Sequence, residues 1–146
     1  MEYWQELGLL GLFLSSFVSA TIVPLSSELV FAYFVTEGFS APLIIFFAST
    51  GNIIGGMTNF FLGKLNFWKT LSKYFGLKPE RVKLIAEKYG KYGAFSAILC
   101  WLPIIGDVIA VSLGFLRLRF LPVLIWMSVG KTLRYVILYL FLSQFD

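Results

Sequence analysis

The chain has 146 residues, of which 58% are hydrophobic and only 14% are charged, and its mean hydropathy is +0.82. Soluble domains carry about 25% charged residues, so this composition predicts a single-domain, all-α integral membrane protein. The absence of histidine and the single cysteine, Cys100, exclude an internal disulfide, a Cys/His zinc site and Ser-His-Asp or Cys-His catalysis. We therefore expect a protein that is not an enzyme, with no metal, no cofactor and no nucleic-acid partner.

In chain order, the first predicted element is an apolar segment that is broken in its middle. Residues 7–23 are apolar, residues 24–28 interrupt the run, and residues 29–35 are apolar again. A polar turn follows, and residues 43–63 are long enough for one complete membrane span of about 20 residues. Together, residues 7–63 form the first predicted repeat.

A basic loop separates this repeat from a second one. Residues 64–91 hold eight of the 12 Lys and Arg residues and include a predicted amphipathic surface helix at 80–89. The second repeat, residues 92–142, begins with an apolar segment that is broken at 103–107 and ends with a complete span at 120–142.

The two repeats share a sequence pattern at an offset of 79 or 80 residues. Each break sets a proline four residues before a carboxylate. The matching positions are Pro24 and Pro103, Glu28 and Asp107, Pro42 and Pro122, and Gly51-Asn52 and Gly130-Lys131. Helix breakers followed by charges, duplicated within apolar sequence, are typical of transporters built from two structural repeats.

The charge distribution predicts that the two broken segments are re-entrant hairpins rather than unwound crossings. With hairpins, residues 64–91 lie on the same side as Arg117 and Arg119, and that side holds ten basic and two acidic residues. The opposite side has only acidic charges. The positive-inside rule then places the 64–91 loop in the cytoplasm and both termini outside. Arms of eight to eleven residues reach about 12–17 Å, short of a core of about 30 Å. The 7–23 arm is longer, so we expect its N-terminal part at the interface.

One hairpin would thus enter the membrane from each side. The two repeats would be inverted, because each contains one complete crossing. The predicted hairpin tips, near the midplane, are Pro24 in the first repeat and Pro103 and Gly106 in the second.

Four charges remain at membrane depth: Glu28, Asp107, Lys131 and Arg134. A charge at the bilayer centre costs at least about 2.5–3.5 kcal/mol, so we expect the four to converge on one protein-lined cavity. Lys131 and Arg134 share a face of the last span because they are three residues apart.

The other span offers small and amide residues to the same region. Asn52 and Asn59, seven residues apart, share a helix face and could line the cavity. Gly51 and Gly55 form the small-residue pattern of helix contacts, and Gly56 and Gly130 would also permit close packing.

The functional hypothesis is anion transport. Lys131 and Arg134 would bind a phosphate group, because the planar guanidinium donates two hydrogen bonds at once. Glu28 and Asp107 would accept protons or compete with the substrate. Two alternatives stay open: a transporter of small solutes or cations that uses the two carboxylates as ligands, and a structural or assembly protein whose charges form static pairs. In the static arrangement Glu28 lies in a first helical turn and Asp107 is an N-cap.

The sequence resembles the DedA family of bacterial inner-membrane proteins, also called the VTT or SNARE-associated domain, and is most similar to its short YqaA-like branch. The resemblance covers nearly the whole chain. It rests on Ser19-Ala-Thr with Pro24-x-x-x-Glu28, Gly51-Asn-x-x-Gly-Gly-x-Thr-Asn59, Lys91-Tyr-Gly93, Trp101-Leu-Pro-x-x-Gly-Asp107 and Gly130-Lys-x-x-Arg-Tyr135.

The resemblance implies inverted repeats with two re-entrant hairpins, and the flipping of lipids such as undecaprenyl phosphate or phospholipids in dependence on proton motive force. Eukaryotic relatives are lipid scramblases. Typical members carry two arginines in the second hairpin, where this chain has Cys100 and Gly106, and its basic residues are instead Lys131 and Arg134. The expected partner is a membrane lipid, with a homodimer left open, and the expected location is the bacterial inner membrane.

Overall fold

In a computed structural model of the chain, the residues described are 2–21, 26–65, 69, 73, 78–102 and 105–145. The described helices are α1 (Glu2–Thr21), α2 (Ser26–Thr36), α3 (Ala41–Lys64), α4 (Pro79–Tyr89), a 3₁₀ segment (Gly90–Trp101), α5 (Ile105–Phe115), α6 (Phe120–Leu142) and a short 3₁₀ turn (Ser143–Phe145). The described part of the chain is helical throughout apart from short turns, which confirms the all-α prediction.

Two of these helices are long and apolar enough to cross a membrane. They are Ala41–Lys64 and Phe120–Phe145, each with a mean hydropathy of 1.4. Their bounds extend the predicted spans 43–63 and 120–142 by a few residues at one end or both. The composition and these two helices identify a helical membrane protein.

The helix boundaries repeat at the offset found in the sequence. α2 and α5 both have 11 residues and begin at positions 26 and 105, and α3 and α6 begin at positions 41 and 120. The starts in each pair are thus 79 residues apart, so the sequence repeat extends to the secondary structure of α2, α3, α5 and α6.

The turns that end α2 and α5 have the same hydrogen bonding. The amide of Phe39 donates to Phe34 O and that of Leu118 donates to Leu113 O, both at 3.3 Å. This is the bond of a Schellman turn, which requires a residue with positive φ just before the donor. That residue is Gly38 (φ 78°) after α2 but Arg117 (φ 55°) after α5. A side chain in this conformation is disfavoured, so only the second turn carries backbone strain.

The first arm differs from the one predicted. α1 is one continuous helix that begins at Glu2, five residues before the expected start of the first repeat. Its 20 residues give a length of about 30 Å, about twice that of α2. The N-terminal part of the arm, which we expected at the interface, is therefore helical.

The amphipathic helix predicted at 80–89 is present as α4, and it packs on α5. Val82 is fully buried against Val108 and Val111, and Ser112 Oγ donates to Val82 O at 3.3 Å. Pro79 at the start of α4 suits a helix N-terminus, where its missing amide proton costs nothing.

The buried apolar side chains form two main clusters, and α3 and α6 contribute to both. One cluster joins α1 and α2 to the first half of α3 and to Tyr135 of α6. The other joins the 3₁₀ segment and α5 to the second half of α3 and the first half of α6. The middle parts of α3 and α6, between the clusters, carry the polar residues considered next.

Candidate functional site

Six polar side chains form three contacts between the two apolar clusters. We call this set the polar column: Glu28 with Arg134, Lys131 with Asn52, and Asp107 with Asn59. Asn52 and Asn59 lie about 10 Å apart along α3. The structure therefore brings together all four charges and both amides that the sequence singled out.

The contact nearest the start of α2 is an ion pair between Glu28 and Arg134. Glu28 is the third residue of α2, where the helix dipole favours a carboxylate, and its Oε1 accepts a hydrogen bond from Arg134 Nη2. The side chain of Arg134 is 13% exposed and that of Glu28 is 35% exposed. One turn further along α2, the ring of Phe31 packs against Tyr135 with 5.1 Å between centroids. The ion pair and the ring pair together hold α2 against α6.

The central contact joins Lys131 to Asn52, two residues that are equivalent in the repeat. Lys131 is 2% exposed, and its Nζ donates to Asn52 Oδ1. The same amide donates through Nδ2 to the backbone carbonyl of Ser16, at 3.2 Å. Asn52 is thus fixed from both sides, and it holds the Lys131 ammonium at the centre of the protein.

The third contact lies toward the Lys64 end of α3. Asp107 Oδ1 accepts a hydrogen bond from Asn59 Nδ2 at 3.4 Å. Asp107 is the third residue of α5, in its first turn, so the expectation that it is an N-cap is wrong. It also lies within electrostatic range of both Lys131 and Arg134. Among the described residues, however, no salt bridge joins Asp107 to Lys131, so the four charges do not form two direct ion pairs.

The glycines near the column provide close approaches between helices. A Cβ on Gly56 would lie 2.7 Å from Met127 Sδ and 2.9 Å from Lys131 Cε, so this glycine makes room for the lysine stem. Gly51 faces the backbone of Phe13, and Gly130 faces the backbone of Ile98. The two equivalent glycines therefore each place a long helix against the first arm of its own repeat. Gly55 is also buried.

The predicted hairpin tips are described only in part, because Pro24 and Pro103 lie outside the described residues. Gly106 is the second residue of α5, and its amide donates to Leu102 O at 3.0 Å. A Cβ at Gly106 would overlap the backbone of Cys100. Cys100 and Gly106, the two positions at which the sequence departs from the pattern that it resembles, are thus in contact here. Lys131 lies within electrostatic range of Cys100, so it brings a positive charge to this region.

α4 covers the face of α5 next to the polar column, whereas the equivalent face of α2 is exposed. Val108 and Ser112 of α5 are buried, and α4 contacts both. The equivalent residues of α2, Leu29 and Tyr33, are 76% and 59% exposed. Glu28, next to Leu29, therefore lies at the accessible side of the column.

Three residues that shape this site were not predicted from the sequence. They are Ser16, whose carbonyl binds Asn52, Met127, which contacts Gly56, and Phe31, which packs on Tyr135. Only the role of Phe31 could have been predicted, because its position one helical turn after Glu28 places it on the same face of α2. The other two depend on how α1 and α6 pack against α3, which residue spacing does not specify.

Comparison with known proteins supports an inner-membrane location. No protein-family model and no solved structure matches the chain. The chain is 35% identical over 133 residues to the inner membrane protein YqaA of Escherichia coli K12, covering 90% of this chain and 89% of that protein. An uncharacterized protein of Haemophilus influenzae is 33% identical over 97% of this chain and 91% of its own length, and one from Rickettsia prowazekii is 27% identical over 82% and 83%.

A sequence identity of 35% that extends over about nine-tenths of both chains reflects a shared fold and a shared family. It agrees with the motifs around Glu28, Asn52, Asp107 and Arg134, and with two apolar spans in an all-helical protein. The chain is a bacterial inner-membrane protein of the YqaA-like branch of the DedA family.

Proposed function

We propose that this protein moves an anionic, phosphate-bearing lipid across the bacterial inner membrane, and that the polar column is its substrate site. The observation that carries the proposal is the partly exposed Glu28–Arg134 pair beside the buried ammonium of Lys131. Charged groups within a membrane are costly and are kept mainly where they serve a substrate or ion pathway.

In this proposal the two repeats are inverted, and each contains one re-entrant hairpin. The 79-residue offset of helix boundaries supports two repeats. α2 and α5, with 11 residues each, are about 17 Å long and would reach only the middle of a core of about 30 Å. The basic loop 64–91 would face the cytoplasm, as the positive-inside rule requires.

The proposed mechanism is competition between substrate and Glu28 for Arg134. A lipid phosphate that enters from the open α2 side would displace the Glu28 carboxylate and take two hydrogen bonds from the guanidinium. Protonation of Glu28 would release Arg134 for this exchange, and so would couple lipid movement to protons. The N-terminus of α2 would add favourable electrostatics for an anion, because its amide groups point toward the same region.

Lys131 and Asp107 would serve the opposite side of the site. When the repeats rock to close the α2 side, the phosphate would pass toward the ammonium of Lys131. Asp107, held by Asn59, would then compete for the lysine as Glu28 competes for the arginine. Lys131 would thereby supply the positive charge that typical family members place at the positions of Cys100 and Gly106.

The direct Glu28–Arg134 pair also favours one competing function, a static structural or assembly role. A partly buried ion pair can hold α2 on α6 without binding any substrate. The two proposals differ in what a reversed pair would do. Glu28→Arg combined with Arg134→Glu keeps the pair and its packing role, but moves the cation from α6 to α2.

Reconstituted vesicles that contain a fluorescent phosphatidylglycerol analogue test the transport proposal. Arg134→Ala and Glu28→Gln should abolish translocation while each purified protein keeps its helix content and elution volume. Glu37→Gln, an exposed carboxylate beyond the end of α2, is the matched control and should transport normally. Translocation at the wild-type rate by both site variants, or by the reversed pair, would refute the substrate site and favour the static role.

A further inference from the structure

An apolar groove of about 280 Å³ lies on the 3₁₀ segment, away from the polar column. Its described lining consists of Tyr92, Phe95, Ser96, Ile98 and Leu99. The volume is close to the lower limit of small-molecule sites, about 300 Å³. The hydroxyl of Ser96 donates to Gly93 O at 2.7 Å, so the lining offers a ligand mainly hydrocarbon and aromatic surface.

The groove lies beside the first half of α6. The ring of Phe95 meets Trp126 of α6 edge-on, with 4.8 Å between centroids, and Gly130 packs on the backbone of Ile98. Trp126 and Gly130 lie six and ten residues after the start of α6 at Phe120. These positions are about 9 and 15 Å along the helix, and half of a hydrocarbon core is also about 15 Å.

A basic side chain lies next to the groove. The ammonium of Lys91 lies over the ring of Tyr92, 5.0 Å from its centroid, and both side chains are exposed. Lys88, in the last turn of α4, is exposed nearby in sequence. An exposed cation next to an apolar groove complements a lipid with a negative head group and a hydrocarbon tail.

We propose that this groove holds one acyl chain of an anionic phospholipid, whose phosphate binds Lys91, from the leaflet on the side of the basic loop 64–91. This site uses none of the charges of the polar column and does not require that the protein transport lipid. It would anchor the second half of the chain in the leaflet from which α5 and the 3₁₀ segment enter.

Native mass spectrometry of the delipidated, detergent-solubilised protein tests the site with dioleoylphosphatidylglycerol and dioleoylphosphatidylcholine as probes. The wild type should bind one phosphatidylglycerol about fivefold more tightly than phosphatidylcholine, as expected for one lysine near the phosphate. Lys91→Gln should remove this preference. Lys83→Gln, an exposed lysine on α4 outside the groove, is the matched control and should keep it.

The tail contact is tested by two groove variants. Ser96→Phe fills the groove and Tyr92→Ala removes one wall, and each should weaken the binding of both lipids about tenfold. Tyr92→Ala decides the outcome if Ser96→Phe does not fold, because the ring of Tyr92 is half-exposed. Arg134→Ala should keep the Lys91-dependent preference, which separates this site from the transport site. Wild-type lipid preference in Lys91→Gln, or wild-type affinity in Tyr92→Ala, would overturn the proposal.

Discussion

At Gly130, α6 packs directly on the backbone of the second repeat's first arm, and adding one methyl group there should separate them. A Cβ at Gly130 would overlap the carbonyl group of Ile98 and lie 3.2 Å from its Cα, all of which are backbone atoms. Backbone cannot rotate aside as a side-chain end can. The whole 3₁₀ segment must therefore move, and Lys131, the next residue, must move with it.

The expected cost of Gly130→Ala follows from two opposing terms. Overpacking typically lowers the free energy of unfolding by about 1–3 kcal/mol, and we expect about 3 kcal/mol here because the neighbouring atoms are backbone. Replacing glycine by alanine inside a helix returns about 1 kcal/mol. The net expectation is a loss of about 2 kcal/mol in the free energy of unfolding.

Gly11 and Gly56 provide matched comparisons within the same protein. Nothing lies within 4 Å of a Cβ at Gly11, so Gly11→Ala should stabilise the protein by about 0.5–1 kcal/mol. At Gly56 the neighbours are the flexible ends of Met127 and Lys131, so Gly56→Ala should displace Lys131 from Asn52. The lost hydrogen bond outweighs the gain in helix propensity, so the free energy of unfolding should fall by about 1 kcal/mol.

Unfolding by sodium dodecyl sulfate in mixed micelles, followed by circular dichroism, measures all three variants under one condition. The expected order of stability is Gly11→Ala, then Gly56→Ala, then Gly130→Ala. The packing argument fails if Gly130→Ala is as stable as Gly11→Ala, or if Gly56→Ala is the least stable of the three.

Three further predictions concern stability and can be measured in the same way. Arg117→Gly should stabilise the protein by about 1 kcal/mol, because glycine adopts the positive φ after α5 without strain, whereas Arg117→Ala should not stabilise it. Equal unfolding midpoints for these two variants would contradict this account. Asn52→Ala should lower the free energy of unfolding by about 2–3 kcal/mol, because it removes the hydrogen bonds to both Lys131 and Ser16. Asn59→Ala should lower it by only about 1 kcal/mol, because its bond to Asp107 is longer. The reverse order would show that the bonding is misassigned. Val82→Ala should lower the free energy of unfolding by about 1–2 kcal/mol and speed tryptic cleavage of α4. Leu84→Ala, at an exposed position of the same helix, is the control. Similar cleavage of both variants would mean that Val82 does not hold α4 on α5.

The unequal covering of α2 and α5 bears on how the protein would work. α4 contacts α5 through a buried valine and a backbone-directed hydrogen bond, so α5 is held at its outer face. The described contacts of α2 with α6 include the Glu28–Arg134 pair and the Phe31–Tyr135 rings, and no described helix covers the exposed Leu29 and Tyr33. A motion that exposes the polar column would therefore break fewer contacts at α2 than at α5. This agrees with substrate entry from the α2 side.

The sequence by itself determined the helical class, the membrane location and the two spans. These properties depend on composition and on apolar run length, which are local. Of the predicted breaks at 24–28 and 103–107, residues 26–28 and 105–107 are instead helical, and the others lie outside the described residues. The offset between Pro24 and Pro103 also predicted that α2 and α5 would begin at equivalent positions, because the same short patterns begin the same local structures.

Only the tertiary structure decided which polar groups meet. Lys131 pairs with the amide of Asn52 rather than with a carboxylate, and Asp107 pairs with Asn59, because both amides lie on the face of α3 between the two apolar clusters. The length of α1 and the packing of α4 on α5 likewise depend on which faces each helix buries. A sequence repeat fixes equivalent positions along the chain, but the surrounding helices determine that the residue after one carboxylate, Leu29, is exposed and the residue after the other, Val108, is buried.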